Sequence, residues 1–168
     1  LRVPVSVEGA SSVHPIHFVN DVVPLFSKLG CNSGGCHGKA SGQNGFKLSV
    51  FGFDAQADFA SLSRESRGRR IFTGDPEHSL LILKAIGVTA HGGGRRCQPD
   101  SPDHHLLSNW IRQGMPWGDD SAPTVASVRV EPVDRVIGRS ADQQLLVTAV
   151  YSDGSTRDVT DAASYSTN

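Results

Sequence analysis

The stretch DVVPLFSKLGCNSGGCHGKASGQNG, residues 21–45, decides how this chain is read. Asp21 is suited to cap a helix with Pro24 at its third position, where a missing N–H costs little. That helix is expected to run to Leu29 and stop at Gly30, so a rigid element delivers Cys31. The string Cys31-Asn32-Ser33-Gly34-Gly35-Cys36-His37 then sets two thiols around four small residues and an imidazole directly after the second. Asn-Ser-Gly-Gly is conformationally permissive, so the loop can bulge while both sulfurs reach one flat partner.

Two thiols that add across the vinyl groups of a porphyrin, with a His directly after the second that reaches the iron, are the requirements of a c-type haem. The usual gap between the cysteines is two residues; here it is four. Two other readings remain open on the residues alone. One is a Cys31–Cys36 disulfide or free thiols. The other is a zinc site that adds His37, His91 or Cys97, although zinc sites usually draw on two closely spaced ligand pairs and no second pair stands out. Three cysteines make no disulfide framework, and Cys97 needs its own explanation.

Outward from this motif, the chain reads as short helices in glycine-rich loops. Asp54 is placed to cap a helix to about Arg64. In DPEHSLLILKAIG, Asp75 is the cap, Pro76 the first helical residue and Gly87 the stop; in SPDHHLLSNWIRQG, Ser101, Pro102 and Gly114 take those parts. KLSVFGF is too short and Gly-broken to make a strand. Residues 16–120 are therefore expected to hold four helices and almost no sheet. Val3, Val5 and Val7 alternate in a short N-terminal strand or linker over 1–15. LRVPVSVEGA lacks the basic and apolar regions of a signal peptide and reads as a mature or cut-out start.

The composition changes at Ser121-Ala122-Pro123, a linker. TVASVRVEP and QQLLVTAVYSDGSTRDVT then read as strands, with Asp153-Gly154 as a hairpin turn. Residues 121–168 are too few for a sandwich, which needs roughly 80–100, so a partial β domain is expected, either disordered near the C-terminus or pairing its edges with a neighbour such as the N-terminal strand. The 168 residues carry 18 glycines and a net charge of −1, which gives no reason to expect nucleic acid or an anionic membrane. No apolar run approaches the ~20 residues of a membrane span.

DVVPLFSKLGCNSGGCHGKASGQNGFKLSVFGFD, SLLILKAIG, HGGGRR and LLSNWIRQGMPWG resemble the cytochrome c-like domain family of secreted planctomycete proteins. ASVRVEPVDRV to LLVTAVYSDGSTRDVT is similar to a group 2 bacterial Ig-like domain. The resemblance implies a mainly α fold, a class I cytochrome c-like helical domain followed by a partial all-β Ig-like segment. It further implies one covalent haem c per chain, a periplasmic, secreted or cell-surface location, and membership of a larger multidomain protein.

The sixth iron ligand is then expected in the loop before the helix that holds Trp110. His91 is preferred, because Gly92-Gly93-Gly94 lets the backbone pass close to a haem face and the family's HGGG string matches it. Cys97 is the alternative, with a buried small residue as its plain reading; Met115 lies beyond the helix stop and is expected to pack. His/His or His/Cys ligation predicts a potential below that of His/Met. Arg95 and Arg96 are candidate propionate contacts, with Arg69, Arg70 and Lys39 behind them. Phe26, Leu29, Phe46, Leu48, Phe51, Leu80 and Trp110 are candidates for the apolar pocket, with Phe26 and Trp110 meeting where first and last helices cross. His78, His104 and His105 read as surface residues, and His14 and His17 have no special context.

The leading expectation is a non-catalytic electron-transfer module working with a redox partner protein or domain, with the Ig-like part as spacer. A five-coordinate haem enzyme or gas sensor is the second, and a zinc-stabilised structural or binding module the third.

Overall fold

The computed structural model describes residues 4, 6 and 15–166, so the strand expected at Val3–Val7 and the histidine at position 14 lie outside the described residues. Four α-helices succeed one another: α1 (Val23–Lys28), α2 (Ala55–Ser63), α3 (Leu80–Ala85) and α4 (Pro102–Arg112). Three strands follow among the described residues: β1 (Val125–Glu131), β2 (Leu146–Tyr151) and β3 (Thr156–Asp158), an antiparallel sheet in the order β1-β2-β3. Helix accounts for 32% and strand for 12%, which makes this a small mixed α/β fold. The expectation of a mainly α class I cytochrome c-like fold is thereby corrected. The same Gly and Pro punctuation that caps the helices also keeps them at six to eleven residues.

Three helices end alike. Cys31 N–H donates to Phe26 O and Gly30 N–H to Ser27 O after α1, Val88 to Leu83 and Gly87 to Lys84 after α3, Met115 to Trp110 and Gly114 to Ile111 after α4. Each is a Schellman closure with glycine in the left-handed region: Gly30 at φ 69°, Gly87 at 77°, Gly114 at 82°. The starts hold two corrections. The first helix opens not at Asp21 but on a π-turn over Phe18–Val22, where His17 Nδ1 accepts from Asn20 N–H and Asp21 Oδ2 accepts from His17 N–H. The Asp75–Gly87 segment is a 3-10 turn over Pro76–His78, then a break at Ser79, then α3. Ser79 is extended there (ψ 134°) and its buried hydroxyl accepts from Phe72 N–H.

The core joins Phe18, Phe26, Leu48, Leu62, Ile82 and Trp110, all at most 2% exposed. Trp110 packs against Phe18, 5.5 Å between ring centres, and Phe59, while its indole N–H donates to Pro116 O. The expected linker is pinned: Asn20 Nδ2 donates to Pro123 O, and Phe18 N–H to Trp117 O. The β1–β2–β3 sheet buries Val147 and Ala149 of β2, while β1 is exposed along its whole length. No helix among the described residues is long and apolar enough to cross a membrane.

Candidate functional site

A cleft of about 730 Å³ opens between the loop after α1, the loop 66–70, helix α3 and the glycine loop after it. Its size falls in the ordinary range for small-molecule and cofactor sites. Cys31, Cys36, His37, Phe46, His91 and Arg96 all line it, with Phe26 and Leu48 as apolar wall.

The Schellman closure at Gly30 places Cys31 at the mouth of a loop that folds back on itself. Ser33 O accepts from Cys36 N–H and Gly38 N–H, and Cys31 O accepts from His37 N–H, which brings His37 beside the first cysteine. Gly38 is needed at the crossing: a β-carbon there would lie 2.1 Å from Asn32 O. His37 is held from two sides. Its carbonyl accepts from Leu48 N–H at 2.9 Å, and its ring Nδ1 lies 3.0 Å from Phe46 O. A carbonyl can only accept, so Nδ1 carries the proton and Nε2 keeps its lone pair. The Phe46 ring, 4.4 Å from the imidazole, closes off its side.

His91 repeats that arrangement from the other wall. Its Nδ1 lies 2.9 Å from Gly94 O, so its Nε2 is again the free nitrogen. The loop is anchored by Lys84 Nζ donating to Ala90 O and by Arg96 N–H donating to Ala85 O. Gly93 leaves room: a β-carbon would meet Arg96 Nη2 at 2.9 Å and His91 Cε1 at 3.1 Å. The His37 and His91 rings have centres 6.2 Å apart and planes 8° from parallel. Tying the second ring nitrogen of a ligand histidine to a carbonyl is the usual way to fix its orientation.

Arg69, Arg70, Lys84 and Arg96 line the cleft, and among the described residues no Asp or Glu does. The wall therefore favours an anionic occupant. Arg96 reaches furthest in, its Nη2 3.2 Å from Cys36 Sγ. All three thiols are free. Burial pushes the Cys31 thiol up to about 11, with Arg96 opposing. Burial likewise holds His37 below the ordinary histidine value against the pull of the Phe46 carbonyl, and His91, Arg70 and Lys84 act in the same direction as burial. His37 thus offers a neutral nitrogen.

The other residues expected here lie elsewhere. Cys97 is buried in the core behind the cleft, with Ala85 O accepting from its N–H. Arg95 sits over Gly87 and lines a shallow neighbouring pocket. Trp110 and Met115 belong to the core, and Phe51 is 72% exposed. His104 is corrected from surface to buried: Nδ1 accepts from Asp100 N–H and Nε2 lies 2.8 Å from Glu77 Oε2. Lys84 and the Phe46 carbonyl were missed. A lysine in the last turn before HGGG was a signal for the first; a backbone acceptor leaves none.

The residues present fit a covalent c-type haem in kind: two thiols and a histidine on one loop, a second histidine on the same cleft, an apolar wall and a cationic one. Among the described residues no group of three or more His, Cys, Asp and Glu is gathered as a protein-only metal site would need. No protein-family model, curated protein or solved structure matches the chain.

Proposed function

We propose that this chain is an electron-transfer module that carries one haem c, bound through Cys31 and Cys36, with His37 and His91 as axial ligands. The observation that carries this reading is the near-parallel pair of imidazoles on the walls of one cleft, 6.2 Å between centres, each with Nδ1 committed to a backbone carbonyl and Nε2 free. A haem held between two histidines supplies one-electron chemistry with both axial positions taken. The chain's own residues would orient the rings, exclude water with Phe26, Phe46 and Leu48, and neutralise carboxylates with Arg96, Arg69 and Lys84. The resemblance to secreted cytochromes adds a location outside the cytoplasm, a redox partner protein or domain, and a spacer role for the sheet.

The test is expression in a host that matures c-type cytochromes. A red protein that keeps its colour through acid–acetone extraction, with a low-spin ferric spectrum and a potential below that of His/Met cytochromes, supports the reading. His91→Ala is expected to turn it high-spin, and Cys97→Ser to leave it unchanged. Colourless protein overturns the haem. A high-spin wild type that binds CO at once overturns the electron-transfer role in favour of a sensor or enzyme.

A further inference from the structure

Arg70 is 6% exposed, yet its guanidinium makes no ion pair among the described residues. It spends its donors on two backbone segments instead. Nη1 donates to Ser61 O at 2.7 Å and Glu65 O at 3.2 Å, at the end of α2. Nη2 donates to Gly45 O at 2.5 Å and to Ser66 Oγ at 3.2 Å. The guanidinium carbon also stands 4.7 Å from the centre of the Phe46 ring.

Gly45 and Phe46 belong to a two-residue hairpin turn. Gln43 and Phe46 exchange both backbone hydrogen bonds, and Asn44 and Gly45 have φ of 50° and 72°, the conformation that Asn-Gly favours. The turn itself is exposed at Asn44 and Gly45. Arg70 grips it from below at the Gly45 carbonyl and the Phe46 ring. The next carbonyl along, Phe46 O, receives His37 Nδ1.

We infer that Arg70 is a positioning residue for His37: by clamping the Gln43–Phe46 turn to the end of α2, it fixes the carbonyl that decides which ring nitrogen of His37 faces the cleft. The inference rests on the reading of His37 as an iron ligand for its functional meaning. Its geometry does not depend on haem. Arg is suited to the task because a planar fork reaches two segments at once and stacks on an aromatic face, which a lysine ammonium does not do.

The test tracks the His37 ring by 1H–15N correlation NMR in the full chain expressed in a cytochrome-maturing host, as wild type and Arg70→Gln. The wild type is expected to hold one Nδ1–H species whose proton exchanges slowly. In Arg70→Gln that exchange is expected to rise at least about tenfold, because an acceptor held less securely lets the hydrogen bond open more often. Arg64→Gln, at an exposed arginine outside both the cleft and the clamp, should leave it alone. A folded Arg70→Gln whose His37 proton behaves as in wild type, with only a lower melting temperature, overturns the inference and makes Arg70 a purely structural clamp. If Arg70→Gln does not fold, the same spectra on Arg70→Lys decide: a faster proton supports the inference, an unchanged one sinks it. Colourless protein would remove the haem reading and leave this test standing, because the Phe46 bond is present without haem.

Discussion

Arg157 on β3 places Nη1 2.6 Å from Oδ1 of Asp21, inside the π-turn that opens the first helix. The carboxylate is buried and the arginine half-exposed, and Asp21 Oδ2 already accepts from His17 N–H. One side chain thus serves helix start and sheet together. Burial alone would lower the Arg157 value, but the Asp21 hydrogen bond and charge hold it above the ordinary one.

Arg157→Ala should leave the Asp21 charge buried with one partner fewer and cost about 1–3 kcal/mol. Urea denaturation measures the loss. Limited proteolysis should show faster cutting near residues 121–124, since the sheet loses its tie to the helices. A variant as stable and as resistant as wild type would mean the pair contributes nothing.

A second pair governs acid stability. The Ser108 hydroxyl donates to Glu77 Oε1, and His104 Nε2 and Arg112 stand on the same carboxylate. The Ser108 bond first, then the charges of His104 and Arg112, hold Glu77 below its ordinary value of 4.5. A depressed carboxyl contributes stability above its unfolded value and loses it as pH falls through the folded one. The melting temperature should therefore decline as pH drops below about 4.5, and Glu77→Gln should flatten that decline while lowering the plateau near neutrality. Equal slopes in the two proteins would remove Glu77 from the account.

The thiols make an alkaline counterpart in protein prepared without haem. Burial, the largest cause, raises Cys31 to about 11, and burial with Asp103 raises Cys97. Burying a neutral thiol contributes stability below the unfolded value of 9.0 that is lost as pH rises through the folded value. Between these limits the haem-free protein should lose stability, and at pH 8 N-ethylmaleimide should modify Cys31 and Cys97 at least about tenfold more slowly than in urea, since only thiolate reacts. Mass spectrometry of the labelled peptides reads this. Equal labelling would place both sulfurs in solvent.

How far the sequence reaches can be seen at particular residues. Ser101 to Gly114 is legible because cap, proline and stop are all local, and Asp54 caps α2 as its type suggests, with Ala57 N–H donating to it. The first helix start is not legible, because the capping atom belongs to a histidine that local propensity does not rank. The Ser79 break is set by a hydroxyl that satisfies Phe72 N–H, a tertiary demand. In the site, Cys31, Cys36 and His37 are neighbours in sequence and readable as a unit. That His91 rather than Cys97 lines the cleft depends on how the chain turns after α3, where Cys97 swings into the core. The mainly α expectation fails for a related reason: capping signals locate helix ends without saying how little chain is left between them.

The glycines of the loop between Cys31 and Lys39 supply the sharpest contrast, since they look alike in sequence. Around Gly34 and Gly35 a β-carbon would meet nothing within 4 Å, and neither has positive φ. Their use is permissiveness, and alanine at either should change stability by no more than ~0.5 kcal/mol, the scale of exposed surface substitutions. Gly38 is buried, and its β-carbon would lie 2.1 Å from Asn32 O and 2.8 Å from Ser33 O, both backbone. No side-chain rotation relieves that contact. The loop must open, breaking the Gly38–Ser33 bond and loosening the return that sets His37 beside Cys31, so Gly38→Ala should cost about 3 kcal/mol or more. Denaturation midpoints and the fraction of chains that acquire haem measure both effects in one preparation. If all three alanine variants behave alike, the loop does not fold back through Gly38, and the placement of His37 would need another cause.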